Sequence, residues 1–447
     1  MSNSYRRRSL MGPIVLIALG VLMLLAVTHR LHADQIGLWF ARYWPAILIV
    51  WGVVRLVEFF TARQTNAPTP RFGAGAIVLV VFLVIIGQAA TAAHRNLQVG
   101  MNLNGDDWSP EFTEMFQGDA HDYQFQREIP LNGKQLTFSA DRADIVVSPS
   151  TDGKARLTSN LTVYAHSQEE ADSVRNRIEK DLSLSDGTIS VGHSGQTKAS
   201  FTLEVPDQVA LQLTNTHGDI NIRDRKAPVT IDTQRSDITV ENIDDNLTVH
   251  SQSRSNLTVH QAKGNVSATG KYDDVTATDI AGSMTMEGDF FGDMRLQKID
   301  KGVHFHSSRT DLELAKVEGE LTMSSGDLQG TQVAGPVRVI TRSKDIHFQR
   351  ISGDVDIENQ NASVELEPES PVGNVRVHNS RGPIEFVAPS GSGFVLQARA
   401  DRGEISSELD LPVQQDKENH STEGTYGKGG NQVMLTADRG SINLRKQ

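Results

Sequence analysis

Carboxylates recur through the second half of the sequence at a nearly fixed spacing, and such a series could bind cations. They stand about 18 residues apart, with Asn256 in one of the eight places: Asp219, Asp237, Asp274, Asp293, Asp311, Asp327 and Asp345. If successive units stack, these oxygens form a line down one corner, and oxygen ligands suit Ca²⁺. Alternatively, each side chain accepts backbone N–H bonds in its own turn. The calcium-binding nonapeptide repeat of other β-solenoids is absent, so we expect turn capping and no metal.

A pair of histidines is the second possible metal-binding feature. His304 and His306 are two residues apart and share one face of an alternating strand. On the units before and after, the equivalent positions supply only a single carboxylate, Glu287, so few further ligands are available beside the two histidines. The sequence has no Cys, which excludes thiolate sites and disulfides. We therefore expect no metal and no cofactor.

Enzymatic cleavage of a polysaccharide is an alternative, because some β-helices catalyse it. Such sites need converging carboxylates or basic groups in a cleft between long loops. The repeats here are separated by short and nearly uniform turns, and all four Trp lie at or before Trp108, so the repeats lack Trp for stacking sugars. We predict no catalytic residues and expect the protein not to be an enzyme.

The elements that carry these side chains are short strands in a long repeat. Apolar residues alternate with polar ones in each unit, as in Val303-His304-Phe305-His306, which is typical of β-strands. The units begin 16 to 20 residues apart, at Val209, Val229, Leu247, Val266, Met284, Val303, Leu321, Val337, Val355, Val375 and Phe394, with a last unit at Val433. A period of this length predicts a solenoid. We therefore predict an all-β fold, a single-stack β-solenoid (β-helix) of about twelve rungs of 18–20 residues over 209–447, with an insertion near 412–431.

A stack of this kind needs an end cap, because each rung is stabilised only by its neighbours. Residues 131–208 contain strand-like pieces and one helix, predicted over 168–182, that could form the N-terminal cap. Ser167 and Glu170 make a capping box at the start of that helix. Residues 94–130 are predicted to be a polar tether.

Residues 1–93 have the composition of a membrane anchor. Three apolar stretches predict transmembrane helices over about 11–28, 44–61 and 73–93. Arg55 and Glu58 lie three apart in the middle stretch and could form an ion pair within the membrane or snorkel to its surface. The triplet Arg6-Arg7-Arg8 places the N-terminus inside, so three crossings leave the rest of the chain outside the cytoplasm.

Charge is divided unevenly along the chain. The residues before Leu97 carry a net +7 and the remainder −19, within a total of −12. Phosphate binding needs clustered positive charge, so nucleic acid is excluded as a partner of the acidic part. The expected partners are the lipid bilayer and an envelope protein or polysaccharide.

Two segments resemble known bacterial families. Gly12 to Val21 (GPIVLIALGV) and Trp44 to Gly52 (WPAILIVWG), within residues 11–60, resemble the membrane segment of Lia-type cell-wall-stress regulators. The units Gly218-Asp219-Ile220-Asn221-Ile222 and Gly353-Asp354-Val355-Asp356-Ile357 are similar to the β-strand repeats of domains classed as candidate adhesins, of unknown function, over residues 130–447. The first resemblance implies a bacterial envelope setting. The second implies a β-solenoid.

These observations lead to one expectation and one main alternative. We expect a multi-pass protein of the bacterial cytoplasmic membrane whose extracytoplasmic β-domain is a non-enzymatic, adhesin-like binding or scaffolding module. The alternative is an envelope-stress sensor or regulator that signals through its transmembrane helices.

Overall fold

The computed structural model describes residues 119–131, 133–185, 188–191 and 197–447. The chain divides into two units, Met1–Trp108 and Ser109–Gln447, and all the described residues belong to the second. The predicted helices at 11–28, 44–61 and 73–93, and with them Arg55 and Glu58, lie outside the described residues. Among the residues that are described, no helix is long and apolar enough to cross a membrane.

The first 80 or so described residues form a capping region of seven strands and one helix. Its elements are β1 Asp119–Ile129, β2 Gln135–Ala140, β3 Ala143–Pro149, β4 Ala155–Ala165, α1 Gln168–Asp181, β5 Ser183–Ser185, β6 Thr188–Val191 and β7 Thr197–Val205. Strand β1 occupies the end of the segment predicted as a polar tether (94–130) and pairs antiparallel with β4 along its whole length.

Helix α1 begins with the capping box. The Ser167 hydroxyl accepts the Glu170 backbone N–H at 3.2 Å, and a Glu170 carboxylate oxygen accepts the His166 N–H at 3.2 Å. The helix buries Val174 and Ile178 in the common core.

Regular rungs follow the cap and run to Ile299. Their strands are β8 Ala210–His217, β9 Ile220–Arg225, β10 Val229–Arg235, β11 Asp237–Ile243, β12 Leu247–Ala262, β13 Val266–Ile280, β14 Met284–Phe290 and β15 Met294–Ile299. Each rung crosses two rows of parallel strands, and the long strands β12 and β13 continue from one row into the next. We call the row containing β8, β10 and β14 face 1, and the row containing β9, β11 and β15 face 2. Their inward side chains belong to one hydrophobic core.

Apolar residues of the regular rungs stack in register. On face 1, Val229 pairs with Leu211 on one side and with Leu247 on the other, and Val266 follows Leu247. The register therefore begins at Leu211 and not at the predicted Val209. Stacking these side chains removes apolar surface from water and contributes roughly 1.5–3 kcal/mol for each large residue.

The chain then reverses direction, which contradicts the predicted fold class. The strands of this reversal are β16 Val303–His306, β17 Thr310–Leu314, β18 Lys316–Met323, β19 Asp327–Ala334 and β20 Val337–Thr341. Strand β17 pairs antiparallel with both β16 and β20, and β18 pairs antiparallel with both β15 and β19. Val303 lies opposite Leu314, while Leu321 lies opposite Leu296 and Gly330.

The predicted single stack of parallel rungs is wrong for this reason. A hairpin strand alternates with the same period of two as a parallel strand, so the spacing of Val303 and Leu321 cannot distinguish the two pairings.

Parallel pairing resumes in the last part of the chain, but its order differs from the sequence order. The strands are β21 Asp345–Asn359, β22 Val364–Arg381, β23 Ile384–Ala388, β24 Phe394–Ala400, β25 Ile405–Ser407, β26 Val413–Asp416, β27 Asn419–Tyr426, β28 Gln432–Arg439 and β29 Ile442–Lys446. Strand β28 lies between β22 and β24, and β29 lies between β23 and β25. The last segment of the chain is thus inserted between two earlier ones, which is a second departure from the predicted stack.

The predicted insertion near 412–431 contains a hairpin. Strands β26 and β27 pair antiparallel, and β27 covers the free edge of β24, where Phe394 is the partner of Tyr426. Covering an edge strand in this way satisfies backbone groups that would otherwise be open to another chain.

Candidate functional site

The repeated aspartates of the regular rungs connect one rung to the next. Asn256 donates from its side chain to Asp237 at 2.8 Å and accepts the backbone N–H of Asp274 at 3.1 Å. Asp274 in turn accepts the backbone N–H of Asp293 at 2.8 Å. Each acceptor therefore satisfies a donor on the following rung. The expectation from the sequence was instead that each side chain would accept from its own turn. These inter-rung hydrogen bonds account for the repeat without a cation.

The other members of the series have different surroundings. Burial, together with the charges of Asp144 and Asp237, raises the pKa of Asp219. The hydroxyl and backbone N–H of Ser363 donate to Asp345 at 2.6 and 2.8 Å and lower the pKa of Asp345. Asp327 is the register partner of Asp345.

Asp311 does not belong to this line. It lies on face 1 in β17, opposite His306, because of the chain reversal. The structure therefore keeps Asp327 beside Asp345 but removes Asp311 from the line.

The two histidines meet carboxylates that the parallel stack would not have placed beside them. His304 Nδ1 lies 3.1 Å from Glu313 Oε1, and His306 Nδ1 lies 3.7 Å from Asp311 Oδ1. Both carboxylates come from the antiparallel strand β17. His304 thus has one acidic register partner, Glu313, whereas His306 has two, Asp311 and Glu287.

The His304–Glu313 pair is part of a longer row of side chains across face 1. The row has one residue from each of seven adjacent strands, in the order Thr285, His304, Glu313, Arg338, Asp356, Arg376 and Met434. At about 4.8 Å between strands, the row is about 29 Å long. Acidic and basic side chains alternate over its five central positions.

A groove of about 740 Å³ lies over this row. Within the described part of the chain, Arg338 and Arg376 have no hydrogen bond or salt bridge, and both side chains are exposed. Asp356 lies between them in register, and its Oδ1 atom is shielded from solvent without a hydrogen-bond partner. The groove therefore offers two free guanidinium groups, carried by strands about 10 Å apart, and one carboxylate acceptor between them.

This arrangement suits an extended ligand with anionic and hydroxyl groups. Guanidinium groups bind carboxylates and phosphates through paired hydrogen bonds. An unpartnered carboxylate oxygen accepts from a hydroxyl, and a shielded polar atom without a partner carries an energetic cost that a ligand can remove.

A smaller cavity of about 300 Å³ lies where the turns of the reversal meet. Its floor includes Phe290 and Phe305, whose ring centroids are 4.8 Å apart. The Lys344 side chain is only 8% exposed and donates to the backbone oxygen of Ser324. Burial lowers the pKa of Lys344, and the charge of Arg309 lowers it further, while Asp327 opposes them.

The groove was not predicted, although the sequence contains a signal for it. Arg338, Asp356 and Arg376 each follow the first apolar residue of consecutive units, and an alignment of the units would place them side by side. The contact of His304 with Glu313 could not be predicted in this way, because it depends on the antiparallel strand β17.

Comparisons with known proteins give two family matches. Residues 133–445 match the toastrack domain model, DUF4097, and residues 11–97 match the LiaF transmembrane domain model. Both resemblances noted in the sequence are thereby confirmed. No curated protein matches the chain.

A solved structure also matches, that of a candidate cell adhesion protein from Clostridium sporogenes. It is 8% identical, and the match covers 73% of this chain and 100% of that one, with a TM-score of 0.16. At that TM-score the likeness carries no argument about fold or function.

Proposed function

The chain belongs to the toastrack DUF4097 family, and from that premise we propose that its toastrack domain is a non-enzymatic binding module of the bacterial envelope. The two family matches make it a membrane protein with a C-terminal toastrack domain, anchored in the envelope. The proposal adds a ligand class: an extended envelope polysaccharide that carries anionic groups.

The observation that carries this proposal is the groove on face 1. Its length of about 29 Å favours a linear polymer over a small metabolite. Arg338 and Arg376 have no internal partners, so binding an anion to them breaks no existing salt bridge. Asp356 supplies an acceptor for a sugar hydroxyl between the two anionic contacts.

We place this domain outside the cytoplasm, where such polymers lie. The triplet Arg6-Arg7-Arg8 supports an N-terminus on the cytoplasmic side. Digestion of intact spheroplasts with an added protease should degrade the toastrack domain. Its protection would put the domain in the cytoplasm and overturn the proposed ligand class.

The binding test uses the full-length protein in detergent micelles and two purified polymers, polygalacturonate as the anionic probe and dextran as the neutral one. We expect titration calorimetry to detect polygalacturonate binding and no dextran binding. The double variant Arg338→Gln/Arg376→Gln should bind polygalacturonate at least about tenfold more weakly, because two charge-assisted contacts are lost. A tenfold loss corresponds to about 1.4 kcal/mol.

A matched control separates this effect from a general change in charge. Arg223→Gln/Arg235→Gln removes the same charge from exposed arginines of the regular rungs and should leave binding unchanged. Equal weakening by both double variants would overturn the groove as the site. Release of reducing ends from the polymer would overturn the non-enzymatic proposal in favour of a polysaccharide-acting enzyme.

A second candidate function, a sensor of envelope stress, is favoured by the match to the LiaF transmembrane domain. A sensor that signals through its membrane segment should change its output in Arg55→Ala or Glu58→Ala. A binding module should not respond to either change. Reporter expression from an envelope-stress promoter, measured in cells that carry each variant, distinguishes the two candidates.

A further inference from the structure

Three potential metal ligands converge on face 2, on the opposite row from the groove. His347 in β21 is the register partner of Glu365 in β22, and Glu367 follows two residues later on the same outward face. One ligand atom from each of the three side chains lies within 4.8 Å of the other two.

Two of these side chains lack the partners that such groups normally have. His347 Nε2 is shielded from solvent without a hydrogen-bond partner, and it lies 3.9 Å from Glu365 Oε1. That distance is too long for a hydrogen bond. Within the described part of the chain, Glu367 has no hydrogen bond or salt bridge. Shielded polar atoms in native proteins nearly always have a partner, so the unpaired imidazole nitrogen indicates a ligand that binds there.

The charge of Arg445 interacts with that of Glu365, but Arg445 is engaged elsewhere. Arg445 lies in β29 and forms a salt bridge with Glu385 at 2.5 Å, and Glu385 is the register partner of Glu365. The His347–Glu365–Glu367 cluster therefore retains two carboxylates and an imidazole without a hydrogen-bonded cation of its own.

We propose that His347, Glu365 and Glu367 bind one divalent first-row transition ion, with Zn²⁺ as the best fit. One imidazole and two carboxylates form a ligand set that suits Zn²⁺ and Mn²⁺, whereas Mg²⁺ and Ca²⁺ prefer oxygen ligands alone. Zn–N and Zn–O bonds of about 2.0–2.2 Å in a tetrahedral site place the two ligand atoms about 3.3–3.5 Å apart. The observed 3.9 Å closes to that value with a small side-chain rotation.

Such an ion would connect two consecutive rungs, since His347 and Glu365 lie on neighbouring strands. Its position on face 2 makes the site independent of the ligand groove on face 1. The two proposals can therefore fail separately.

The test is calorimetric titration of the full-length protein in detergent micelles with ZnCl₂, after treatment with EDTA and its removal. MgCl₂ serves as the comparison ion. We expect saturable Zn²⁺ binding and no detectable Mg²⁺ binding at the same concentrations. His347→Gln and Glu365→Gln should each weaken this binding at least about tenfold, because each removes one of three ligands.

His304→Gln is the matched control, because His304 also pairs with a single Glu, Glu313, but on face 1. It should leave Zn²⁺ binding unchanged. Circular dichroism of each variant without metal shows that the fold is retained, and Glu367→Gln provides a third variant at a partly exposed position. Absence of saturable Zn²⁺ binding, or binding that His347→Gln and Glu365→Gln leave intact, would overturn the proposal. So would an equal loss in His304→Gln.

Discussion

The regular rungs, residues 211–299, and the reversal, residues 303–341, share one repeat length and differ in strand direction. In the regular rungs each strand lies parallel to its equivalents, and Asp and Asn side chains hydrogen-bond from rung to rung. In the reversal, two four-residue turns send the chain back on itself. Burial alternates in the same way in both regions. Alternation therefore determines which side chains face the core, but it does not determine which strand lies beside which.

The turns of the reversal have a common construction. In the first, the Ser307 hydroxyl accepts the Thr310 N–H at 3.2 Å; in the second, the Ser324 hydroxyl accepts the Asp327 N–H at 3.1 Å. Both turns begin with Ser-Ser in the sequence. Local side-chain to backbone bonds of this kind favour a tight turn over a continued strand.

Glycine substitutions should give the largest difference between the two regions. Gly288 lies in a regular rung with φ of +141°, and a Cβ there would be 1.9 Å from the backbone oxygen of Gly270. Gly288→Ala should therefore lower the free energy of unfolding by about 3 kcal/mol through strain and overlap with backbone. Urea denaturation of the full-length protein, followed by β-sheet circular dichroism, measures the change.

Gly326, in the second turn of the reversal, is the matched control. A Cβ there would meet nothing within 4 Å. Gly326→Ala should change the free energy of unfolding by no more than about 0.5 kcal/mol. If both substitutions had the same cost, close stacking of backbone would not distinguish the regular rungs from the reversal.

Much of the fold could be predicted because burial follows alternation. Val303 and Leu321 are 3% and 0% exposed, so both face the core as expected, although they do not stack on each other. Strand direction could not be predicted, because parallel and antiparallel neighbours place the same apolar faces inward. The insertion of β28 and β29 between earlier strands could not be predicted either, because alternation does not specify which strands are neighbours.

The contacts at the candidate sites also differ in whether the sequence could have predicted them. His347 and Glu365 are 18 residues apart, one repeat length, so their contact could have been found by aligning units. The contact of His304 with Glu313 depends on the reversal and could not. The small cavity beside Lys344 also depends on it, since its walls include both Ser-Ser turns.

Removal of one inter-rung acceptor should have the next largest effect. Asp274→Ala leaves the Asp293 N–H without its acceptor and should destabilise the protein by about 1 kcal/mol. Asp274→Asn keeps an acceptor oxygen and should restore most of that stability. Because a cation line would need the charge, loss of stability in Asp274→Asn as large as in Asp274→Ala would contradict the hydrogen-bonding role.

Asp311→Ala provides the comparison within the reversal. The Asp311 carboxylate lies 3.7 Å from His306 in a partly exposed pair. Such pairs contribute little to stability, so the expected change is below about 0.5 kcal/mol. Urea denaturation at neutral pH measures the change in the free energy of unfolding for Asp274→Ala and Asp311→Ala under one set of conditions.

The smallest expected effect is a pH dependence that originates in the reversal. Because burial lowers the pKa of Lys344 below 10.5, the unfolded chain holds a proton that the folded chain releases as the pH rises. The contribution of Lys344 to the free energy of unfolding therefore increases as the pH rises toward 10.5. The same contribution is lost as the pH falls through the lowered pKa of Lys344. Lys344→Met removes the titrating group and should abolish that increase.

Lys271→Met tests whether the effect belongs to the reversal. Lys271 is exposed in β13 of the regular rungs, whereas Lys344 is buried. The difference in unfolding free energy between the parent and Lys344→Met should therefore grow as the pH rises toward 10.5, and it should grow more steeply than the difference for Lys271→Met. An equally steep change for both variants would mean that the Lys344 ammonium is as well solvated as an exposed one, and the buried cation would no longer set the reversal apart from the regular rungs.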